Sequence, residues 1–212
     1  FEVKGKNLVD KEPDLIDPTF IPKLKNVVAE NGKIQGIDRV LVPLDIPDND
    51  TTLIFGNSKG NILLGFNTPV VIEGGKGKDI LLGSGDNDQL NGGQGNDYIF
   101  GNGGSDILRG NMGDDLLFGG RGNELFDGGK GNDIIWLNGG ADTIVIREED
   151  GTDSIYDFNL GQTTFSLTDG LSFEDLSFQQ ENGFSTVITG EKVLAQVAGI
   201  VVDSLNSTAN FV

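Results

Sequence analysis

Large apolar side chains recur every nine residues through the centre of the chain, at Leu63, Ile72, Leu81, Leu90, Ile99, Leu108, Leu117, Phe126, Ile135 and Ile144. Seven residues before each of them stands a glycine in every unit but the last, where Leu137 replaces it: Gly56, Gly65, Gly74, Gly83, Gly92, Gly101, Gly110, Gly119 and Gly128. A strict period shared by two residue classes predicts stacked repeats around one continuous core. Each unit divides into a six-residue loop and a three-residue strand whose middle side chain faces that core.

An acidic residue occupies the sixth position of the later units, at Asp79, Asp88, Asp97, Asp106, Asp115, Glu124, Asp133 and Asp142. The first two units carry Asn61 and Val70 in this slot, so we expect them to form coils without a well-formed ion site. A run of acids is usually a solvated surface, but here the acids keep phase with glycine and core residues. Calcium takes six to eight oxygens from carboxylates and backbone carbonyls, which two stacked loops together supply.

The clearest units read GGKGKDILL from Gly74, GGQGNDYIF from Gly92 and GGKGNDIIW from Gly128. They resemble the GGxGxDxUx nonapeptide of the RTX (hemolysin-type) calcium-binding proteins, in which U is a large apolar residue. The resemblance implies an all-β fold, a right-handed parallel β-roll or β-solenoid with two nonapeptides per coil. Repeat i then stacks on repeat i+2, successive strands lie in opposite sheets, and ten repeats make five coils.

The same resemblance implies several calcium ions shared between stacked loops. One edge of the roll would hold Asp79, Asp97, Asp115 and Asp133, with Asp153 as a further candidate, and up to four ions. The other edge would hold Asp88, Asp106, Glu124 and Asp142, and up to three ions. The extra methylene of Glu124 carries its carboxylate further than an aspartate would, which weakens the prediction for the two sites beside it. The backbone carbonyls implied as ligands belong to Gly75, Gly77, Gly83, Gly85, Gly93, Gly95, Gly101, Gly103, Gly113, Gly120, Gly122, Gly129 and Gly131.

Positions seven and nine flank the core residue and point outward, and they make one sheet apolar on its outer face. In the sheet of Leu63 and Leu81 they are Ile62, Leu64, Ile80, Leu82, Tyr98, Phe100, Leu116, Phe118, Ile134 and Trp136. A sheet apolar on both faces is normally covered on both. We expect the rings of Tyr98, Phe100, Phe118 and Trp136 to be covered, first of all by the N-terminal segment. The alternative is a docking face for an upstream domain or a partner chain.

The flanks of the repeats predict two caps. Residues 1–55 read as an N-terminal capping segment with a short helix from about Pro22 and a strand at 40–42, before a β-roll at 56–145. Residues 146–212 read as an antiparallel β cap with strands Thr164–Leu167, Leu176–Phe178 and Ser185–Ile188. The apolar end of this acidic segment is similar to uncleaved signals of type I secretion substrates.

Composition and net charge limit the classes of function that the chain can have. The net charge of −18 suits a protein that gathers cations and argues against binding to nucleic acid. The chain has no cysteine and no histidine, so a thiolate metal site and the usual general base are not available. No apolar run is as long as a membrane span.

These observations favour a secreted, non-enzymatic calcium-binding module that folds outside the cell and supports the secretion and stability of an extracellular protein. The first alternative is a carbohydrate- or surface-binding module of a polysaccharide-modifying enzyme or adhesin. The second is an enzyme whose catalytic domain lies upstream of Phe1, since the chain itself contains no HExxH or GxSxG motif.

Overall fold

The computed structural model describes residues 51–66 and 68–212, together with three short strands upstream. Strand β1 (Glu2–Lys4) pairs antiparallel with β2 (Asn7–Val9), and β3 (Val40–Leu41) confirms the strand predicted at 40–42. The helix predicted near Pro22 and the cover predicted for the aromatic face lie outside the described residues.

Two sheets face each other across the core, and successive strands alternate between them. The seven-stranded sheet is parallel throughout and contains β4 (Thr52–Asn57), β6 (Val70–Lys76), β8 (Gln89–Gln94), β10 (Ile107–Met112), β12 (Leu125–Lys130), β14 (Thr143–Ile146) and β16 (Thr164–Leu167). In the ten-stranded sheet the parallel series is β3, β5 (Ile62–Leu64), β7 (Ile80–Leu82), β9 (Tyr98–Gly103), β11 (Leu116–Arg121), β13 (Ile134–Trp136) and β15 (Asp153–Tyr156).

The strand register confirms two nonapeptides per coil. Ile72 lies opposite Leu90 and Leu90 opposite Leu108, so neighbouring strands are 18 residues apart in sequence. The solenoid has about six turns, one more than the ten repeats predict. The extra length comes from the flanks, because β3, β4, β15 and β16 continue the two sheets past the repeats.

The core is a single column of side chains from position eight. From Leu63 to Ile144 these residues are fully buried between the sheets. Each coil adds two of them, so every unit buries its apolar surface against its neighbours rather than within itself.

The nine-residue period ends after Val145, but the coil continues. Ile135 lies opposite Ile155, an offset of 20 residues, and Ile144 lies opposite Phe165, an offset of 21. The strand predicted at Thr164–Leu167 is confirmed, but its assignment to an antiparallel cap is wrong. It pairs parallel to β14, because Phe165 fills the next layer of the core although the spacing has changed.

The cap itself begins later and closes the ten-stranded sheet. β19 (Lys192–Ala198) pairs parallel to β15, and β18 (Phe184–Thr189) and β17 (Leu176–Glu181) follow in antiparallel order, which confirms an antiparallel C-terminal element. Its helices are the 3-10 turns Phe173–Asp175 and Thr208–Asn210 and the four-residue α1 (Val202–Leu205). Within the described ranges no helix could cross a membrane.

A continuous row of rings lies along the outer face of the ten-stranded sheet. Phe100 stacks on Phe118 with 4.8 Å between ring centroids, Phe118 on Trp136 at 6.4 Å and Trp136 on Tyr156 at 4.4 Å. Phe184 of the cap meets Tyr156 edge to face at 6.1 Å. We call these five residues the aromatic ladder. It links the repeats to the cap, and the sequence pattern did not include its last two members.

Candidate metal centre

The loops of successive coils lie in close contact through position four, which is glycine in most units. At Gly95, Gly113 and Gly131 the backbone has φ of 130°, 128° and 142°. A methyl group added to any of these three would overlap the carbonyl oxygen of the position-four residue one coil earlier. Glycine therefore satisfies two demands here, a left-handed φ and a carbonyl packed against its α-carbon. The result is a row of backbone carbonyls along the loops of this edge, which carries Asp97 and Asp115.

The acids of the first edge form one column, as predicted. In each, the carboxylate accepts a hydrogen bond through Oδ1 from the backbone N–H of the residue one coil earlier. The distances are 2.6 Å from Asn61 N to Asp79, 2.7 Å from Asp79 N to Asp97, 2.6 Å from Asp97 N to Asp115, 2.7 Å from Asp115 N to Asp133 and 3.1 Å from Asp133 N to Asp153. The last bond brings Asp153 into the column despite the changed spacing.

The second carboxylate oxygen has no hydrogen-bond partner in most of these acids. Among the acids of the two edges, the buried and unpartnered atoms are the Oδ2 atoms of Asp79, Asp97, Asp106, Asp115, Asp133 and Asp142 and both carboxylate oxygens of Glu124. These side chains are 0–2% exposed, so water does not satisfy the oxygens. A buried charged oxygen without a partner is strongly unfavourable.

The raised pKa values of these acids reflect the same unfavourable burial of charge. Burial, together with the charges of neighbouring carboxylates, raises the pKa of Asp97 and of Asp115 to about 7 despite the backbone hydrogen bond that each accepts. Burial and the charge of Asp153 raise the pKa of Asp133 to about 8. A bound cation would reverse this tendency and favour the charged carboxylates.

The donor set fits calcium. Unpartnered carboxylate oxygens and rows of carbonyls are the hard oxygen ligands that this ion prefers. Among the described residues no group of three or more acids, histidines or cysteines converges as a metal cluster. Carboxylates from two loops would thus be joined by backbone carbonyls, in agreement with the glycine at position four.

The second edge is less regular. The carboxylate of Asp106 accepts from Asp88 N at 2.9 Å, and that of Asp142 accepts from Glu124 N at 3.0 Å. Asp88 differs because both of its oxygens already have donors: Ser84 N at 2.5 Å from Oδ2 and Val70 N at 2.8 Å from Oδ1. The structure thus brings Asp88 and Asp106 together as predicted, but Asp88 lacks the unpartnered oxygen of the other acids.

The family described as "RTX calcium-binding nonapeptide repeat (4 copies)" matches the chain at residues 71–99, 91–124 and 118–145. Residues 71–145 are RTX repeats. RTX repeats bind calcium ions and are typical of secreted proteins. The family is a structural calcium-binding module.

Two solved structures show similarity to the chain. The extracellular lipase LipA from Serratia marcescens is 19% identical with a TM-score of 0.42, and the match covers 79% of this chain and 40% of the lipase. The AlgE6R3 subunit of the Azotobacter vinelandii mannuronan C5-epimerase is 24% identical with a TM-score of 0.33, over 64% of this chain and 77% of that one. This chain therefore matches less than half of the length of the lipase. No curated protein matches it.

At the ends of the two columns of RTX acids, either an uncharged residue occupies the acid position or the repeat spacing changes. Asn61 and Thr163 are buried in the acid slot, and Asn61 accepts from Asn57 N through Oδ1 at 2.8 Å. Thr163 instead accepts from Asn159 N at 3.3 Å. Both side-chain oxygens therefore have a donor, and the unpartnered carboxylate oxygens lie between Asp79 and Asp142, with Asp88 as the exception.

A second ladder runs along the outside of the RTX loops, and the sequence pattern did not reveal it. Ser105 N donates to Asn87 Oδ1 at 2.7 Å, Asn132 N to Asp114 Oδ1 at 2.9 Å and Ala141 N to Asn123 Oδ1 at 2.8 Å. The sequence feature that could have predicted this ladder is position five of the repeat, where most units carry a small side chain with an acceptor oxygen. These bonds hold neighbouring loops in register without an ion.

Proposed function

We propose that the chain is a calcium-dependent folding module of a secreted protein, structural rather than catalytic, that becomes ordered outside the cell and stabilises the protein to which it belongs. The observation that carries the proposal is the row of buried carboxylate oxygens without partners. Their proposed role is to bind calcium together with the carbonyls of the glycine loops.

The ligands we propose are the nine acids of the two edges, Asp79, Asp88, Asp97, Asp106, Asp115, Glu124, Asp133, Asp142 and Asp153. Asp88 is the weakest candidate, since two backbone N–H groups already bind its carboxylate. We further propose a division into an N-terminal segment at 1–55, a roll at 56–145 and a C-terminal cap at 146–212 that assists export.

Calcium would control folding because the ion binds only where two loops are already stacked. The binding free energy is then added to the free energy of folding. Without it, the charged acids must lose water and lie near one another. Extracellular calcium modules bind at about 10⁻⁴–10⁻³ M, so the chain would stay open in a calcium-poor cytosol and fold after export.

A calcium titration of the chelated chain tests the proposal. Far-UV circular dichroism would follow β structure, and the emission of Trp136, the only tryptophan, would follow the aromatic ladder. We expect both signals to develop together as calcium rises. Equal β signals and equal melting temperatures in chelator and in calcium would refute the proposal.

Adjacent acids provide a matched pair of variants for this titration. Asp115→Asn removes a buried carboxylate with an unpartnered oxygen, whereas Asp114→Asn removes the same charge from an exposed side chain and keeps its acceptor oxygen. The first should raise the calcium concentration at the folding midpoint about tenfold and the second by less than about twofold. Equal shifts would show that only net charge matters.

The geometry does not favour a carbohydrate platform on the aromatic ladder. Sugars stack on open aromatic faces, but Phe118, Trp136 and Tyr156 lie face to face at 4.4–6.4 Å with interplanar angles of 10–15°. Their outward parts are therefore mainly ring edges. A glycan-binding screen with calcium present would test this alternative.

A further inference from the structure

Glu124 has an environment that no aspartate of the two columns shares. Both of its carboxylate oxygens are buried and unpartnered, whereas the other acids with an unpartnered oxygen have one each. The neighbouring Asp142 contributes one more such oxygen. Three unpartnered oxygens therefore belong to the loops of residues 119–124 and 137–142, compared with two for Asp97 and Asp115.

The extra methylene of Glu124 explains this difference. In the aspartates, Oδ1 accepts from a backbone N–H one coil earlier, but Glu124 accepts no such bond from Asp106 N. Instead, its Oε2 lies beside Gly119, as the Oδ2 atom of Asp115 lies beside Gly110, and its Oε1 lies beside Gly122. Both oxygens thus face the glycines of the same loop.

We propose that Glu124 binds the cation of its loop through both carboxylate oxygens, and that this site discriminates against magnesium more strongly than the aspartate sites do. The inference rests on the proposed calcium-binding function. Calcium accepts a bidentate carboxylate in its large and flexible coordination shell. Magnesium requires near-ideal octahedral geometry at 2.0–2.1 Å, which a bidentate carboxylate distorts.

Glu124→Asp tests the proposal because it shortens the side chain by one methylene and keeps the charge. Native mass spectrometry would count bound calcium ions at a fixed free calcium concentration while magnesium is increased. The amide resonances of Gly122 and Gly113 would assign the loss to the Glu124 loop or to the first column. In the wild-type chain we expect the Glu124 site to retain calcium longest.

In Glu124→Asp, the magnesium concentration that displaces this ion should fall about tenfold, with no change at Gly113. The matched control is Asp115→Asn, which should reduce binding in the first column and leave the response of Gly122 to magnesium unchanged. If Glu124→Asp does not alter the magnesium dependence at Gly122, the inference is wrong. If the wild-type chain binds no calcium, the proposed function itself is wrong.

A second measurement uses the wild-type chain and does not depend on how the variant folds. Infrared spectra of protein with ¹³C-labelled glutamate isolate the glutamate carboxylates from the aspartates. Calcium should move the antisymmetric stretch of one glutamate to the lower frequency of a bidentate carboxylate, and magnesium should not. A spectrum in which calcium shifts no glutamate band would overturn the proposal.

Discussion

At position four of the RTX loops a single hydrogen atom in place of a side chain decides whether neighbouring coils can approach. The carbonyl oxygen of Gly95 lies against the α-carbon of Gly113, whose φ is 128°. Gly85, at position three, has no heavy atom within 4 Å of an added methyl group and no φ in the left-handed region. The two glycines look alike in the sequence, but only Gly113 has a left-handed φ and a carbonyl packed against its α-carbon.

Gly113→Ala should therefore destabilise the calcium-loaded roll by about 2–4 kcal/mol, since it adds both a left-handed alanine and an overlap with a backbone atom. Chemical denaturation in saturating calcium would measure the change.

Gly85→Ala is the matched control and should change the free energy of unfolding by less than about 1 kcal/mol. Similar losses for both variants would contradict the role given to position four.

At the scale of elements, the aromatic ladder connects four strands of the roll to the C-terminal cap. It runs across β9, β11, β13 and β15 and reaches β18 of the cap through the edge contact of Phe184. Offset-stacked and edge-to-face aromatic pairs add stability beyond the area they bury. The ladder therefore couples the stability of the repeats to that of the C-terminal cap.

Trp136 stands at the middle of the ladder, between Phe118 and Tyr156. We expect Trp136→Ala to lower the free energy of unfolding in calcium by about 1–3 kcal/mol, because it removes two ring contacts. Circular dichroism during urea unfolding would measure the loss.

Ile134 is the control for this variant, since it lies on the same strand and the same face but is 40% exposed and outside the ladder. Ile134→Ala should cost about 1 kcal/mol or less. A cost equal to that of Trp136→Ala would mean that the stacking contributes nothing specific.

At the scale of the whole molecule, the chain is strongly acidic and buries part of its carboxyl groups in the loops of the roll. The net charge is −18, and the buried acids lie in two columns along the roll. In the metal-free chain, burial raises the pKa of Asp106 to about 6, and burial with the nearby Asp142 and Asp106 charges raises that of Glu124 to about 8. Protons can therefore replace part of the missing positive charge.

These raised pKa values determine the direction in which the stability of the chelated chain changes with pH. The unfolded acids titrate near pH 4, and folding raises their pKa values to about 6–8. Their stabilising contribution is complete below the unfolded pKa values and disappears as the pH rises through the folded ones. The chelated chain should therefore gain β structure and melting temperature when the pH falls from 8 to 5.

The calcium-loaded chain should respond in the opposite direction over the same range, because protons compete with the ion for the carboxylates. Thermal melts in chelator and in calcium at each pH would measure both trends. A chelated chain whose melting temperature falls on acidification would contradict the link between burial of these acids and folding.

The sequence by itself determined the repeat, its core and the first column of acids. A nine-residue period that keeps glycine, acid and apolar residue in fixed order predicts that Leu81, Leu90 and their equivalents are all buried, and the resemblance to the RTX nonapeptide implies two repeats per coil. Stacking at two-repeat spacing then brings Asp97 next to Asp115. Local sequence is sufficient here because each coil contacts only its neighbours.

Only the tertiary structure determined the features that depend on distances between atoms of neighbouring coils. The donors that satisfy Asp88, the two unpartnered oxygens of Glu124 and the position of Phe165 in the core all follow from distances between coils. The aromatic ladder likewise extends to Tyr156 and Phe184 across a changed spacing and a reversal of strand direction. A periodic pattern loses its information where the period changes, and there packing against the preceding coil determines the structure.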